Sequence, residues 1–86
     1  MALVVRGGKV QLRRRPATGL LAGMWELPLA RPRGTPLAVV KHRVLDRRQV
    51  ISVYPGRPRR GGRFFGDLSR IPVTAAAKKC VVLLLR

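Results

Sequence analysis

Glu26, Asp46, Asp67, His42 and Cys80 are all the carboxylate, imidazole and thiol side chains of this 86-residue chain. The three carboxylates stand far apart, and His42 has no cysteine or second histidine to help it as a base or metal ligand. Magnesium-assisted hydrolysis of a diphosphate needs carboxylates close enough together to hold the ion. Three scattered acids provide no such set. The abundant group is the guanidinium. Lys and Arg number 19 against 3 Asp and Glu, a formal charge of +16. Guanidinium moves no protons at neutral pH, but its planar fork binds phosphate. Such an excess repels itself unless it meets a polyanion. Nucleic acid is therefore the first candidate partner and an anionic membrane surface the weaker one. A GC-rich coding composition, with Arg standing where Lys or a polar residue would serve, would give the same count.

The basic residues form groups: Arg13–Arg15, Arg31 with Arg33, Arg43, Arg47 with Arg48, the segment Arg57–Arg63, and Lys78-Lys79. Arg57-Pro58-Arg59-Arg60-Gly61-Gly62-Arg63 is similar to Arg-Gly-Gly segments that hold nucleic acid loosely, and equally to a solvated loop. The candidate phosphate contacts are Arg14, Arg15, Arg47, Arg48, Arg59 and Arg60. The remaining reactive groups have structural readings. Glu26 is expected to pair with an arginine, His42 to pack locally on a strand, Asp67 to cap a short turn, and Cys80 and Trp25 to sit in the core.

The elements that must position these groups are legible as follows. Leu3–Arg6 and Lys9–Leu12 flank Gly7-Gly8, a pair suited to a two-residue hairpin turn, with Val5 facing Val10 and Leu3 facing Leu12. Arg13–Arg15 extend the second strand into a loop, Pro16–Pro28, that holds the only Trp. Trp25–Leu27 reads as a short strand. Leu29–Pro36, with Pro32, Pro36 and Gly34, reads as loop. Strands are expected over Leu37–Leu45 and Gln49–Tyr54, joined by a turn of Asp46, Arg47 and Arg48. Pro55–Gly62 reads as a mobile loop and Arg63–Phe65 as a strand. Ala75–Lys79 are strong helix formers after Thr74, a capping residue. Ala77, Cys80, Val81, Leu84 and Leu85 then make one apolar stripe on a C-terminal helix.

The length suits one small domain, residues 1–86, burying roughly 60–65% of its unfolded surface. A composition 47% hydrophobic argues against a disordered tail. A single Cys leaves no internal disulfide or multi-cysteine site. No apolar run approaches the ~20 residues of a membrane span, and Met1–Val5 lack the order of a signal peptide. A cytoplasmic location is the expectation, associated with the bacterial nucleoid if the chain is bound to DNA.

The phrase Arg14-Arg15-Pro16 followed by Gly19-Leu20-Leu21-Ala22-Gly23-Met24-Trp25-Glu26-Leu27-Pro28 resembles the C-terminal domain of MutY-type adenine DNA glycosylases. Val40-Lys41-His42, Val53-Tyr54, Arg63-Phe64-Phe65, Asp67-Leu68 and Pro72 ahead of Lys78-Lys79 resemble successive elements of that domain in the same order. The resemblance covers nearly the whole chain and implies a Nudix-like fold, a mixed sheet flanked by helices. It implies a role in base excision repair, helping a glycosylase find oxidised-guanine:adenine mismatches. In that family the hairpin tip approaches DNA, which adds Leu45 and Asp46 to the candidate contacts beside Arg47 and Arg48.

The chain departs from the family in three ways. Only thirteen residues separate Pro28 from His42, so the intervening helix is lost and one sheet face should be left poorly covered. The family's lesion-reading Phe, Ser or Thr, and His fall at Val44, Leu45 and Asp46. Leu45 cannot hydrogen-bond a base edge and Asp46 repels phosphate, so lesion reading does not carry over. The family's catalytic helical domain, with its iron–sulfur cluster, has no counterpart in these residues. The chain itself is expected to need no cofactor and to be no enzyme. The expectation is a small α+β domain, a shortened Nudix-like fold, binding duplex DNA without catalysis, with a glycosylase catalytic domain as a partner in cis or trans. A structural or protein-docking remnant is the alternative.

Overall fold

The structure, a computed structural model, describes residues 1–85, and of Val44 the backbone alone. The strands in chain order are β1 (Ala2–Leu3), β2 (Val5–Arg6), β3 (Lys9–Arg14), β4 (Trp25–Glu26), β5 (Ala38–Val44), β6 (Arg47–Pro55) and β7 (Arg63–Phe65). A single turn of 3-10 helix (Leu68–Arg70) and one α-helix, α1 (Ala75–Leu84), complete the elements of the described residues. The fold is α+β, with a helix at the C-terminal end of two small sheets.

β3 organises one sheet. Its neighbours β2, β4 and β7 all run antiparallel to it. Gly7 and Gly8 sit at φ +56° and +74°, the double positive φ of a tight hairpin turn. Val5 faces Val10 as expected. Leu3 does not face Leu12. The chain leaves β3 at Val4 and β1 runs parallel to β6, pairing Ala2 with Tyr54 and Leu3 with Pro55. The cause is burial: Ala2 and Val4 are 0% and 1% exposed, and changing sheets lets both point inward. Gly56 permits the crossing, because a Cβ there would lie 2.9 Å from Ala2 Cβ.

The second sheet has the order β1-β6-β5. The long hairpin β5–β6 holds seven pairs, from Ala38 with Val53 to Val44 with Arg47. Its turn is Leu45-Asp46. Arg47 and Arg48, expected in the turn, belong to β6 and pair with Val44 and Arg43. A two-residue loop matches the twist of paired strands, and the longer ladder outweighs the cost of placing Leu45 at φ +54°, about 1–2 kcal/mol for a side-chain-bearing residue.

The inward faces of both sheets meet α1. Leu12, Leu27, Val53, Ala77 and Cys80 are fully buried there, with Val10, Val40 and Val73 around them. Thr74 caps α1 by accepting from Ala77 N–H at 3.3 Å. The expected stripe is present through Leu84, whereas Leu85, the C-cap, is 43% exposed. Burial pushes the Cys80 thiol above its ordinary range. Trp25 meets Phe65 edge to face, centroids 4.9 Å apart, at the margin of this core.

Among the described residues, no helix lies on the outer face of β5–β6. Leu37, Val39 and Val50 are 52%, 55% and 67% exposed there, the bare sheet face that the short Pro28–His42 connection leads one to expect.

Candidate nucleic-acid interface

The triple arginine at the end of β3 has mostly a structural task. Strand alternation separates Arg14 from Arg13 and Arg15. Arg13 Nε and Arg15 Nη1 each lie 2.9 Å from a carboxylate oxygen of Glu26, which is buried. The structural reading of Glu26 therefore holds. Arg14 Nε donates to the carbonyl of Gly23, and Arg15 Nε to that of Leu20. With Gly19, Leu21 and Gly23 all at positive φ, these bonds fold the Pro16–Met24 loop back on β3. Two of the expected phosphate contacts, Arg14 and Arg15, are thus engaged within the protein.

Arg59 is engaged as well. The sequence suggests a mobile Pro55–Gly62 loop, but Gln11 ties it down. Gln11 Nε2 donates to the Arg59 carbonyl at 2.8 Å, and Arg59 N–H donates to Gln11 Oε1 at 3.0 Å. Arg59 also donates from Nη1 to the Leu29 carbonyl, bridging two loops. Alternation along β3 would turn Gln11 to solvent, yet it is 1% exposed, because this loop covers that face. The hint in the sequence is an uncharged amide amid basic strand residues, with Gly61-Gly62 allowing close approach. A Cβ on Gly62 would lie 2.5 Å from Gln11 Nε2 and 2.7 Å from its Cδ. Gly62→Ala should therefore destabilise the fold by about 2 kcal/mol, roughly 10 °C in a thermal melt followed by circular dichroism. Gly66→Ala, whose Cβ would meet Lys9 Cγ at 3.7 Å, should melt near the parent.

The distal end of the β5–β6 hairpin carries cations without an internal partner of opposite charge among the described ion pairs. Arg43 stands directly opposite Arg48 on the outer face, and Lys41 opposite Val50. Like charges opposed across strands are destabilising by about 0.2–1 kcal/mol. Arg47, one residue from Arg48, points to the helix side of the ribbon, so the two arginines straddle it. Lys79 of α1 reaches this end, donating from Nζ to the Lys41 carbonyl. At the tip Leu45 is 84% exposed and Asp46 exposed beside it.

At the other end of β6 the fold joins two groups distant in sequence. Arg31 and Arg33 of the proline-rich loop face Arg57 and Arg59 across an open cleft of about 1040 Å³, with Tyr54 in its lining. Arg60 lies exposed in the turn beyond it. The other reactive groups stay apart: His42 is half-buried on β5, and Asp67 accepts from Ser69 N–H and Oγ–H, which hold its carboxyl below its usual range. Among the described residues, no three of His, Cys, Asp and Glu gather as a metal site, and no helix is long and apolar enough to cross a membrane. Compared with known families and with curated proteins, the chain matches no family model and no curated sequence.

Proposed function

We propose that this chain is a duplex-DNA-binding module without catalytic activity of its own, a shortened Nudix-like domain of the kind that assists adenine DNA glycosylases at oxidised-guanine:adenine mismatches. The observation that carries it is the opposed pair Arg43 and Arg48, flanked by Lys41 and Arg47. That arrangement costs stability in the free protein and is relieved by a polyanion. The resemblance at Gly19–Pro28 and the order of the later elements support the same reading. Phosphate contacts position a protein without reading sequence. With Leu45 and Asp46 at the tip, duplexes with and without 8-oxoguanine opposite adenine should bind alike.

Anisotropy of a short labelled duplex, followed from about 50 to 200 mM salt, tests it. The logarithm of affinity should fall with a slope near −0.9 for each phosphate neutralised. A flat response to salt, or no binding at low salt, would defeat the proposal. A clear preference for the lesion would show that the tip reads bases. A second reading is favoured by the bare outer face: Leu37, Val39 and Val50 offer an apolar strip beside the cations. A catalytic domain in cis or trans would cover it, and protection of this strip by such a partner would support that role.

A further inference from the structure

The cleft at the base of β6 has a composition that the hairpin tip lacks. It is lined by four arginines and one aromatic ring, and none of the three carboxylates of the chain is among its described lining residues. Two prolines, Pro55 and Pro58, stiffen one wall. The walls are also held in place: the buried Gln11 amide grips Arg59 through its backbone, and the Arg59 side chain reaches the Leu29 carbonyl opposite. Tyr54 lies between them on the outer face of β6, half-buried. It also borders a second, smaller hollow of about 580 Å³ that continues along β6 past Ser52 and Val50. The two open hollows share Ala30 and Tyr54 in their linings, the first of them basic, with the aromatic ring where they adjoin.

A preformed basic groove with a ring in its lining suits a backbone of phosphates bearing accessible bases. Base–aromatic stacking needs an unpaired base, which a duplex does not offer. We infer that this cleft binds a segment of single-stranded nucleic acid, with phosphates on Arg31, Arg33 and Arg57 and one base against Tyr54. The site is separate from the hairpin tip. Arg48 and Tyr54 are both on β6, six residues apart, roughly 20 Å at the rise of an extended strand. The inference does not depend on duplex binding at the tip.

The test is titration of the intact chain with a labelled oligothymidylate of about twelve nucleotides and, separately, with a blunt duplex. Arg33→Gln/Arg57→Gln and Arg43→Gln/Arg48→Gln lower the net charge equally. The cleft pair should weaken oligothymidylate binding at least about tenfold and duplex binding by less than about threefold, and the hairpin pair should do the reverse. Tyr54→Leu should weaken the single strand by roughly tenfold, and Tyr54→Phe should restore it. Tyr54 is the only tyrosine, so its ring protons, resolved by NMR, should move upfield as a base stacks. Equal losses from both arginine pairs would overturn the inference, since the attraction would then be general charge. So would an unmoved Tyr54 ring, or pyrophosphate competing as well as the oligonucleotide, or free thymidine triphosphate binding as tightly. Loss of duplex binding alone would defeat the hairpin proposal and leave this one standing.

Discussion

Glu26→Gln should cost about 3 kcal/mol of stability and lower the melting temperature by roughly 10–20 °C. The carboxylate is buried and holds two guanidinium groups, each at 2.9 Å. Glutamine keeps the size, but its single carbonyl can serve one arginine, and its amide would turn a donor toward the other. Breaking a buried ion pair usually costs 3–5 kcal/mol. The lower end applies here because the Arg13 and Arg15 side chains are 39% and 30% exposed and can turn to water. The consequence extends beyond the pair. Arg15 also holds the Leu20 carbonyl, and the backbone of Trp25 accepts from Thr74 N–H, the cap of α1. Loosening β4 therefore loosens the start of the helix. Urea unfolding would show a lower midpoint with an unchanged slope. Removing Arg15 along with Glu26 should recover part of the loss, as coupled neighbours do. A change below about 1 kcal/mol would mean that water already shares this site.

The second large effect has opposite signs for stability and binding. Arg43→Ser/Arg48→Ser should leave the domain slightly more stable, by about 0.2–1 kcal/mol, because two like charges no longer face each other across the strands. Duplex affinity at low salt should fall at least about tenfold, and the salt slope should shrink by about 1.8, twice the 0.9 expected per lost phosphate contact. A pair of arginines kept for the fold would not behave this way. Loss of stability with unchanged binding would move the interface elsewhere on the molecule.

Much of the architecture was legible in local residue order. Gly7-Gly8 announced a hairpin because few other residues tolerate two consecutive positive φ angles. Thr74 followed by alanines announced α1, since a capping side chain and good helix formers act within one turn. The short run from Pro28 to His42 announced a bare sheet face, because three prolines, each without an N–H donor and at odds with a helix interior, oppose a covering helix there. The pairing of Glu26 with arginine followed from a lone acid amid many bases. Each of these depends on residues within a few positions of each other, or on a count, and both are properties of the chain.

Other features depend on what lies opposite in space. The switch of Leu3 from β3 to β6 is decided by whether Ala2 and Val4 can both be buried, which the hairpin pattern cannot express. Arg47 and Arg48 lie in β6 because the ladder gains more than the strain at Leu45 costs. Which arginines are free is the clearest case. Arg13, Arg15 and Arg59 have the same side chain and similar neighbours in sequence as Arg43, Arg48 and Arg57. A buried carboxylate and loop carbonyls engage the first three, while Arg43 and Arg48 face only each other. The sequence by itself determined the excess of positive charge, the scarcity of acids, the hairpins and the helix. Only the tertiary structure decided which charges are engaged, that Gln11 holds a loop, and that Arg31, Arg33, Arg57 and Tyr54 share one cleft, because long-range contacts set each side chain's surroundings and neighbouring residue types do not.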